Sequence, residues 1–204
     1  MDILHYTTIE STATAEFKDR GSKFIAYAYP LKKVSDFKPI LQELKKMHPK
    51  AVHHCFAYKI GINGNDYRIS DDGEPAGTAG KPIFNVIESK NLTNICIIVV
   101  RYFGGTLLGV PGLINAYKTA ASLVLQIIPF VQKPVEKSYQ LSFNYTLQND
   151  VMRILKINHC SILQQSNGFF AEITIGIPVN QLAQTLAQLK ELYTLEMKAI
   201  EITP

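Results

Sequence analysis

Hydrophobic and polar positions alternate in recognisable blocks along the chain. "ATAEFKDRGSKFIAYAYPL" reads as a β-hairpin, two β-rich runs flanking Asp19-Arg20-Gly21, with Gly21 able to take positive φ. "VSDFKPILQELKKMH" places Phe37, Ile40, Leu41, Leu44 and Met47 on one helical face. Ser35 is its expected N-cap, and Pro39 is tolerated by its nearness to the first turn. "AVHHCFAYKIG" and "NDYRIS" read as strands joined by a turn at Asn63-Gly64. A long loop follows, and a short helix begins near Lys81 or Pro82. "NICIIVVRYF" is a nearly continuous apolar strand, the pattern of a strand buried on both faces. It runs into "GGTLLGVPG" and the helix "LINAYKTAASLVLQII", with Pro111 suited to the first turn and a polar stripe at Asn115, Lys118 or Thr119, Ser122 and Gln126.

"PFVQKPVEK", with two prolines, reads as a linker. Beyond it the expected order is strand 139–145, helix 147–157, strand 161–165, strand 169–177 with a turn at Asn167-Gly168, helix 179–192 and strand 196–202. That is β-α-β-β-α-β, a ferredoxin-like arrangement. The expected organisation is α+β in two domains, residues 1–132 and 133–204.

Composition is that of a globular chain. The net charge of +4 is uneven: residues 1–132 carry 15 Lys/Arg against 11 Asp/Glu, whereas residues 133–204 carry six of each. An anionic partner is therefore expected to meet the first part, though the excess is well below that of a dedicated DNA binder. Cys55, Cys96 and Cys160 have no CxxC spacing, and the N-terminus lacks a basic segment followed by an apolar core. Both point to a cytoplasmic protein. The longest apolar run, Ile95 to Val100, is too short to span a bilayer.

Two glycine-rich stretches imitate a phosphate-binding loop, and both fail its G-x-x-x-x-G-K-[ST] spacing. Around Gly80-Lys81, Pro75 stands at the first glycine and Pro82 at the hydroxyl; around Gly104 and Gly109, Val110 and Pro111 replace lysine and hydroxyl. Backbone N–H groups of Gly104, Gly105 and a helix start near Gly112 still offer an anion cradle, or else serve only tight turns. Arg101 and Tyr102 leave the buried strand just before. Arg101 either clamps a phosphate, with Tyr102 stacking on a base, or pairs internally with Asp71, Asp72 or Glu74. Those three acids suit a hard cation, acid–base work or turn chemistry. His53 and His54 face opposite sides of a strand, so they do not readily share a metal and read as structural histidines, with a hydrogen bond from one of them to the acidic loop as the alternative. Lys45, Lys46 and Lys50 read as a solvated helix end, available to RNA if it lies beside Arg101 and Lys118. No metal site, cofactor or catalytic residue is expected.

"HHCFAY", "SDDGEPAGTAGKPI" and "VVRYFGGTLLGVPGLINAY", in this order, resemble the IMPACT/YigZ family over most of residues 15–125. The resemblance implies a ribosomal protein S5 domain 2-like N-terminal domain and a C-terminal ferredoxin-like domain similar to those of elongation factor EF-G. It places His53 and His54 on the family's histidine pair. Asp71, Asp72, Glu74 and Lys81 fall on its acidic-glycine block, and Arg101, Tyr102, Gly104 and Gly105 on its arginine-aromatic-diglycine block. Pro111-Gly112 stands where many members have two glycines, which removes one N–H donor. The resemblance also implies translation control through partner proteins in eukaryotic relatives. The expected function is a cytosolic RNA- or ribosome-associated module linked to translation. The alternatives are an enzyme acting on a phosphorylated small molecule or nucleotide around Arg101 and the Asp71–Glu74 loop, or a protein-interaction module without its own ligand.

Overall fold

A computed structural model describes residues 3–62 and 66–200. The expected Asn63-Gly64 turn and the end of the last strand lie outside the described residues. The architecture is α+β, and the chain contacts divide it into two compact units, residues 6–133 and the remainder.

The first unit is built on a five-stranded antiparallel sheet. Its strands are β2 (Ala13–Asp19), β3 (Ser22–Pro30), β4 (His53–Ile60), β5 (Asp66–Ser70) and β6 (Ile95–Tyr102), in the order β2-β3-β6-β4-β5. Asp19 pairs with Ser22, so the β2–β3 turn has two central residues, Arg20 (φ 44°) and Gly21 (φ 79°). Two successive positive φ values give the turn whose twist matches that of the strands.

β6 lies in the middle, and its two faces belong to two cores. Ile95, Ile97 and Val99 pack with Cys55, Ala57 and the apolar faces of α2 (Gly80–Ser89) and α3 (Gly109–Gln126). Cys96 and Ile98 pack with Phe56, Tyr58 and the Phe37 and Leu44 side chains of α1 (Val34–Met47). The strand is apolar without alternation because helices cover it on both sides.

Two local readings are corrected. Ser35 does not cap α1: Lys33 holds the cap position with no side-chain bond, and Ser35 lies inside the first turn, bonding Asp36 Oδ1 at 3.2 Å. "PFVQKPVEK" does span the boundary between the two units, at Lys133/Pro134, but it is not irregular: Val131–Pro134 forms β7, which pairs with β1 (His5–Thr8) in a two-stranded ribbon, and β8 starts at Glu136. A ribbon edge tolerates proline because an N–H facing away from the partner strand is not missed.

The second unit runs β8 (Glu136–Phe143), α4 (Gln148–Ile157), β9 (Ser161–Asn167), β10 (Ala171–Pro178), α5 (Leu182–Lys190) and β11 (Glu196–Ile200). Its sheet order is β11-β8-β10-β9, the ferredoxin-like pattern. Leu141, Phe143, Ile173, Ile175 and Ile177 face Val151, Leu155 and Leu189 of the helices.

Candidate functional site

The site forms where β6 ends beside the loop between β5 and α2. Three acids of that loop, equivalent on paper, take three different roles.

Asp71 serves the helix behind it. Its Oδ1 accepts the N–H groups of Ala79 (3.0 Å) and Gly80 (2.8 Å), and its Oδ2 accepts that of Gly77 (2.9 Å). A carboxylate at the N-terminus of α2 satisfies orphan donors and complements the helix dipole. The anion at that terminus is thus supplied by the chain itself. Asp72 faces β4 and α1. Its Oδ2 accepts the His54 backbone N–H at 2.7 Å, and Lys45 lies 3.8 Å from its Oδ1. The helix-end lysine group therefore reaches the acidic loop through Lys45.

Asp72 (φ 42°) and Gly73 (φ 91°) form the centre of a turn closed by the Glu74 N–H on the Asp71 carbonyl at 2.9 Å. The turn delivers Glu74 inward. Glu74 Oε1 accepts Arg101 Nη1 at 2.6 Å and the Tyr117 hydroxyl at 2.7 Å. Arg101 is 5% exposed and Glu74 8%, so each neutralises a charge that would otherwise be costly to bury. The Arg101 guanidinium also lies 5.4 Å from the Phe24 ring centroid and 5.8 Å from that of Phe103, and its Nη2 reaches Ser22 Oγ at 3.4 Å. Of the two readings of Arg101, the internal ion pair is the one formed, and Glu74 is its partner.

β4 supplies the histidines, one to each face. His53 pairs with Arg101 across the ladder, and its ring lies on the Arg101 side. His53 Nδ1 stands 2.8 Å from the Asp72 carbonyl, which only accepts, so Nδ1 carries the proton and donates. His54 is buried; burial, then the nearby Lys45 charge, hold its pKa below the ordinary histidine value. Cys55 sits below, its Sγ 2.9 Å from the Asp71 carbonyl and 3.3 Å from the Tyr117 hydroxyl, and burial pushes both the thiol and the phenol up.

Tyr102 points to the other face of the sheet. Its hydroxyl contacts His48 Nδ1 at 2.8 Å, and Tyr27 holds the opposite ring nitrogen at 2.6 Å. Gly104 packs so closely on the β2–β3 turn that a Cβ would overlap the Gly21 carbonyl, and its N–H donates to Ser22 Oγ at 3.2 Å. The N–H that an anion cradle would take from Gly104 is thereby occupied. Gly105 is exposed at φ 86°, and α3 starts at Gly109, three residues before the Gly112 start read from sequence. Lys81 and Lys118 are exposed on α2 and α3; the Lys81 ammonium lies 5.8 Å from the Phe84 ring, and neither makes an ion pair among the described residues. No group of three or more metal-ligating side chains occurs among the described residues.

Beside this buried network opens a cavity of about 360 Å³. His53, Glu74 and Arg101 form its polar floor. Its walls are Val52, Pro75, Phe103, Leu107, Leu108, Gly109, Val110 and Leu113. Leu107 is 82% exposed, Val52 55%, Val110 51% and Phe103 48%, so apolar side chains ring the mouth. The sequence marked none of these wall residues, nor Ser22 or Tyr117, as a site residue; Pro75, Gly109 and Val110 entered only where they break the phosphate-loop spacing. Tyr117 had one signal, a lone hydroxyl-bearing ring on the buried face of a helix otherwise lined by Ala, Leu and Val.

Residues 20–125 match the Impact N-terminal domain. The chain is 37% identical over 145 residues to IMPACT family member YvyE of Bacillus subtilis (strain 168), covering 71% of this chain and 67% of that protein. It is 30% identical over 186 residues to IMPACT family member YigZ of Escherichia coli (strain K12), covering 89% and 91%. Among solved structures it superposes on one described as a crystal structure of a hypothetical protein, with a TM-score of 0.75, 28% identity, and coverage of 98% of this chain and 100% of the other. The matched domain contains the Asp71–Glu74 loop, the Arg101 strand end and the wall residues of the cavity, and this chain belongs to the IMPACT family.

Proposed function

We propose that this chain is a protein-binding module in the control of translation, docking a ribosome-associated protein at the cavity beside Glu74 and Arg101. One observation carries the reading: exposed Val52, Phe103, Leu107 and Val110 ring a concave site whose buried charges are already neutralised. Concave apolar surface with an aromatic at its rim is the anatomy of a protein contact. Arg101 has both terminal nitrogens engaged inside the chain, which leaves little of it to grip a phosphate. The family resemblance, with translation control through partner proteins in eukaryotic relatives, supports the same direction.

A second reading, RNA contact, has its own support. Residues 6–133 carry 16 Lys/Arg against 10 Asp/Glu, and Lys46, Lys50 and Lys118 are exposed. Co-sedimentation of the full chain with ribosomes separates the two. Protein docking gives pelleting that persists through moderate salt and mild nuclease trimming and is lost in Leu107→Asp. Pelleting that falls steeply with salt, is indifferent to Leu107→Asp and is weakened by Lys46→Glu with Lys118→Glu would replace the first reading with the second.

A further inference from the structure

We propose that the cavity receives an aromatic side chain bearing its own hydrogen-bond donor, a tyrosine or tryptophan of the docked protein, whose donor meets His53 Nε2; this rests on the protein-binding reading above. The Asp72 carbonyl fixes the proton of a neutral His53 on Nδ1, so Nε2 presents a lone pair. Nε2 lies 3.9 Å from Glu74 Oε1, beyond hydrogen-bond range, and has no donor among the described residues. His53 lines the cavity, and its side chain is partly open.

The donors around it face inward. Arg101 Nη1 and the Tyr117 hydroxyl donate to Glu74, Arg101 Nη2 is turned to Ser22, and Arg101 Nε is sealed from solvent. What His53 leaves open on this floor is an acceptor, and the complement of an acceptor is a donor. Charge narrows the choice. Glu74 is balanced by Arg101 at 2.6 Å, so an incoming ammonium would meet a guanidinium as soon as it met the carboxylate. A neutral N–H or O–H avoids that repulsion. Size admits it: about 360 Å³ walled by Val52, Leu107, Val110 and Leu113 has room for a ring side chain. Tyrosine and tryptophan combine an apolar body with a polar tip, and they recur as interface anchors.

The test titrates the full chain with the N-acetyl amides of tryptophan, tyrosine and phenylalanine, followed by NMR shifts of the cavity residues and the His53 ring. The tyrosine or tryptophan amide should shift Val52, Leu107, Val110 and His53 Nε2, with the phenylalanine amide binding roughly 3- to 10-fold more weakly, the worth of one hydrogen bond. His53→Phe should erase that difference; the comparison of amides on the unaltered protein stands without it. Equal binding of all three amides overturns the donor assignment and leaves the docking reading intact. So does failure of all three to reach the cavity while Leu107→Asp still abolishes ribosome pelleting. Adenine binding there in preference to the amides, or amides that dissociate a self-associated form, gives the cavity to a nucleobase or to a second copy and overturns the proposal. Pelleting untouched by Leu107→Asp is the separate failure, that of the docking reading itself.

Discussion

Glu74 and Arg101, 27 positions apart, meet at 2.6 Å beneath the cavity, and the Tyr117 hydroxyl closes on the same carboxylate oxygen at 2.7 Å. The ion pair binds the β5–α2 loop to the end of β6, and the tyrosine binds both to α3. Three separate segments are thereby fixed around one oxygen.

Removing one charge leaves the other buried without a partner. Glu74→Ala is expected to cost about 3–5 kcal/mol. Arg101→Leu should cost a similar amount, and the double variant clearly less than the sum, because each single change strands the same ion pair. Urea unfolding of the four proteins measures the coupling. Tyr117→Phe removes a single hydrogen bond to a charged group and should cost roughly 1.5–3 kcal/mol.

The two glycines after Phe103 should behave differently. A methyl group at Gly104 would overlap the Gly21 backbone, which has no side-chain freedom with which to yield, so Gly104→Ala should destabilise by at least about 1–3 kcal/mol. At Gly105 a Cβ meets open space and only the positive φ opposes it, so Gly105→Ala should cost about 1–2 kcal/mol. Thermal unfolding orders the two. Equal, negligible losses would return both glycines to an unassigned role.

Acid should destabilise the first unit through His48 and His54. Both have folded pKa values below the unfolded value of about 6.5, chiefly because burial disfavours the charged ring. The unfolded chain therefore takes up protons that the folded chain refuses. Stability falls as pH drops below about 6.5 and stops falling once pH lies below the folded pKa values. The thermal midpoint at pH 5.5 should be lower than at pH 7.5, and His54→Gln should narrow the gap if the variant folds. A midpoint that does not change between these pH values contradicts the burial argument.

The cysteines should divide two to one. Cys55 and Cys96 are buried, and burial drives their thiols far from ionisation. Cys160 is only partly covered, with its pKa pushed up to about 11, also by burial. A thiol reagent should modify at most one cysteine in the native chain, slowly, and all three after unfolding. Rapid modification of two or more in the native chain would contradict the buried positions.

The parts of the fold that could be read in advance are those where one period dominates. The apolar run from Ile95 to Val100 declared a strand covered on both faces. The order from Tyr139 onward declared a ferredoxin-like unit, because each element there is amphipathic and short. β1 and β7 were missed because a two-stranded ribbon buries little and therefore carries little pattern. The candidate site was legible as a neighbourhood but not as a division of labour. Asp71, Asp72 and Glu74 share one chemistry, and only the turn at Asp72-Gly73 decides which of them enters the core. "GGTLLGVPG" read as a glycine turn. Leu107 and Val110 become cavity walls only once α3 starts at Gly109 and leaves them facing outward.

The most direct measurement places a photo-crosslinking amino acid at Leu107 in cells, with a second probe at Ile157, exposed on α4, as the control. Docking at the cavity yields a discrete protein adduct from Leu107 that resists nuclease, is absent from Ile157 and disappears when Val110→Asp is added. Adducts to RNA alone, or equal and diffuse labelling from both positions, would contradict it.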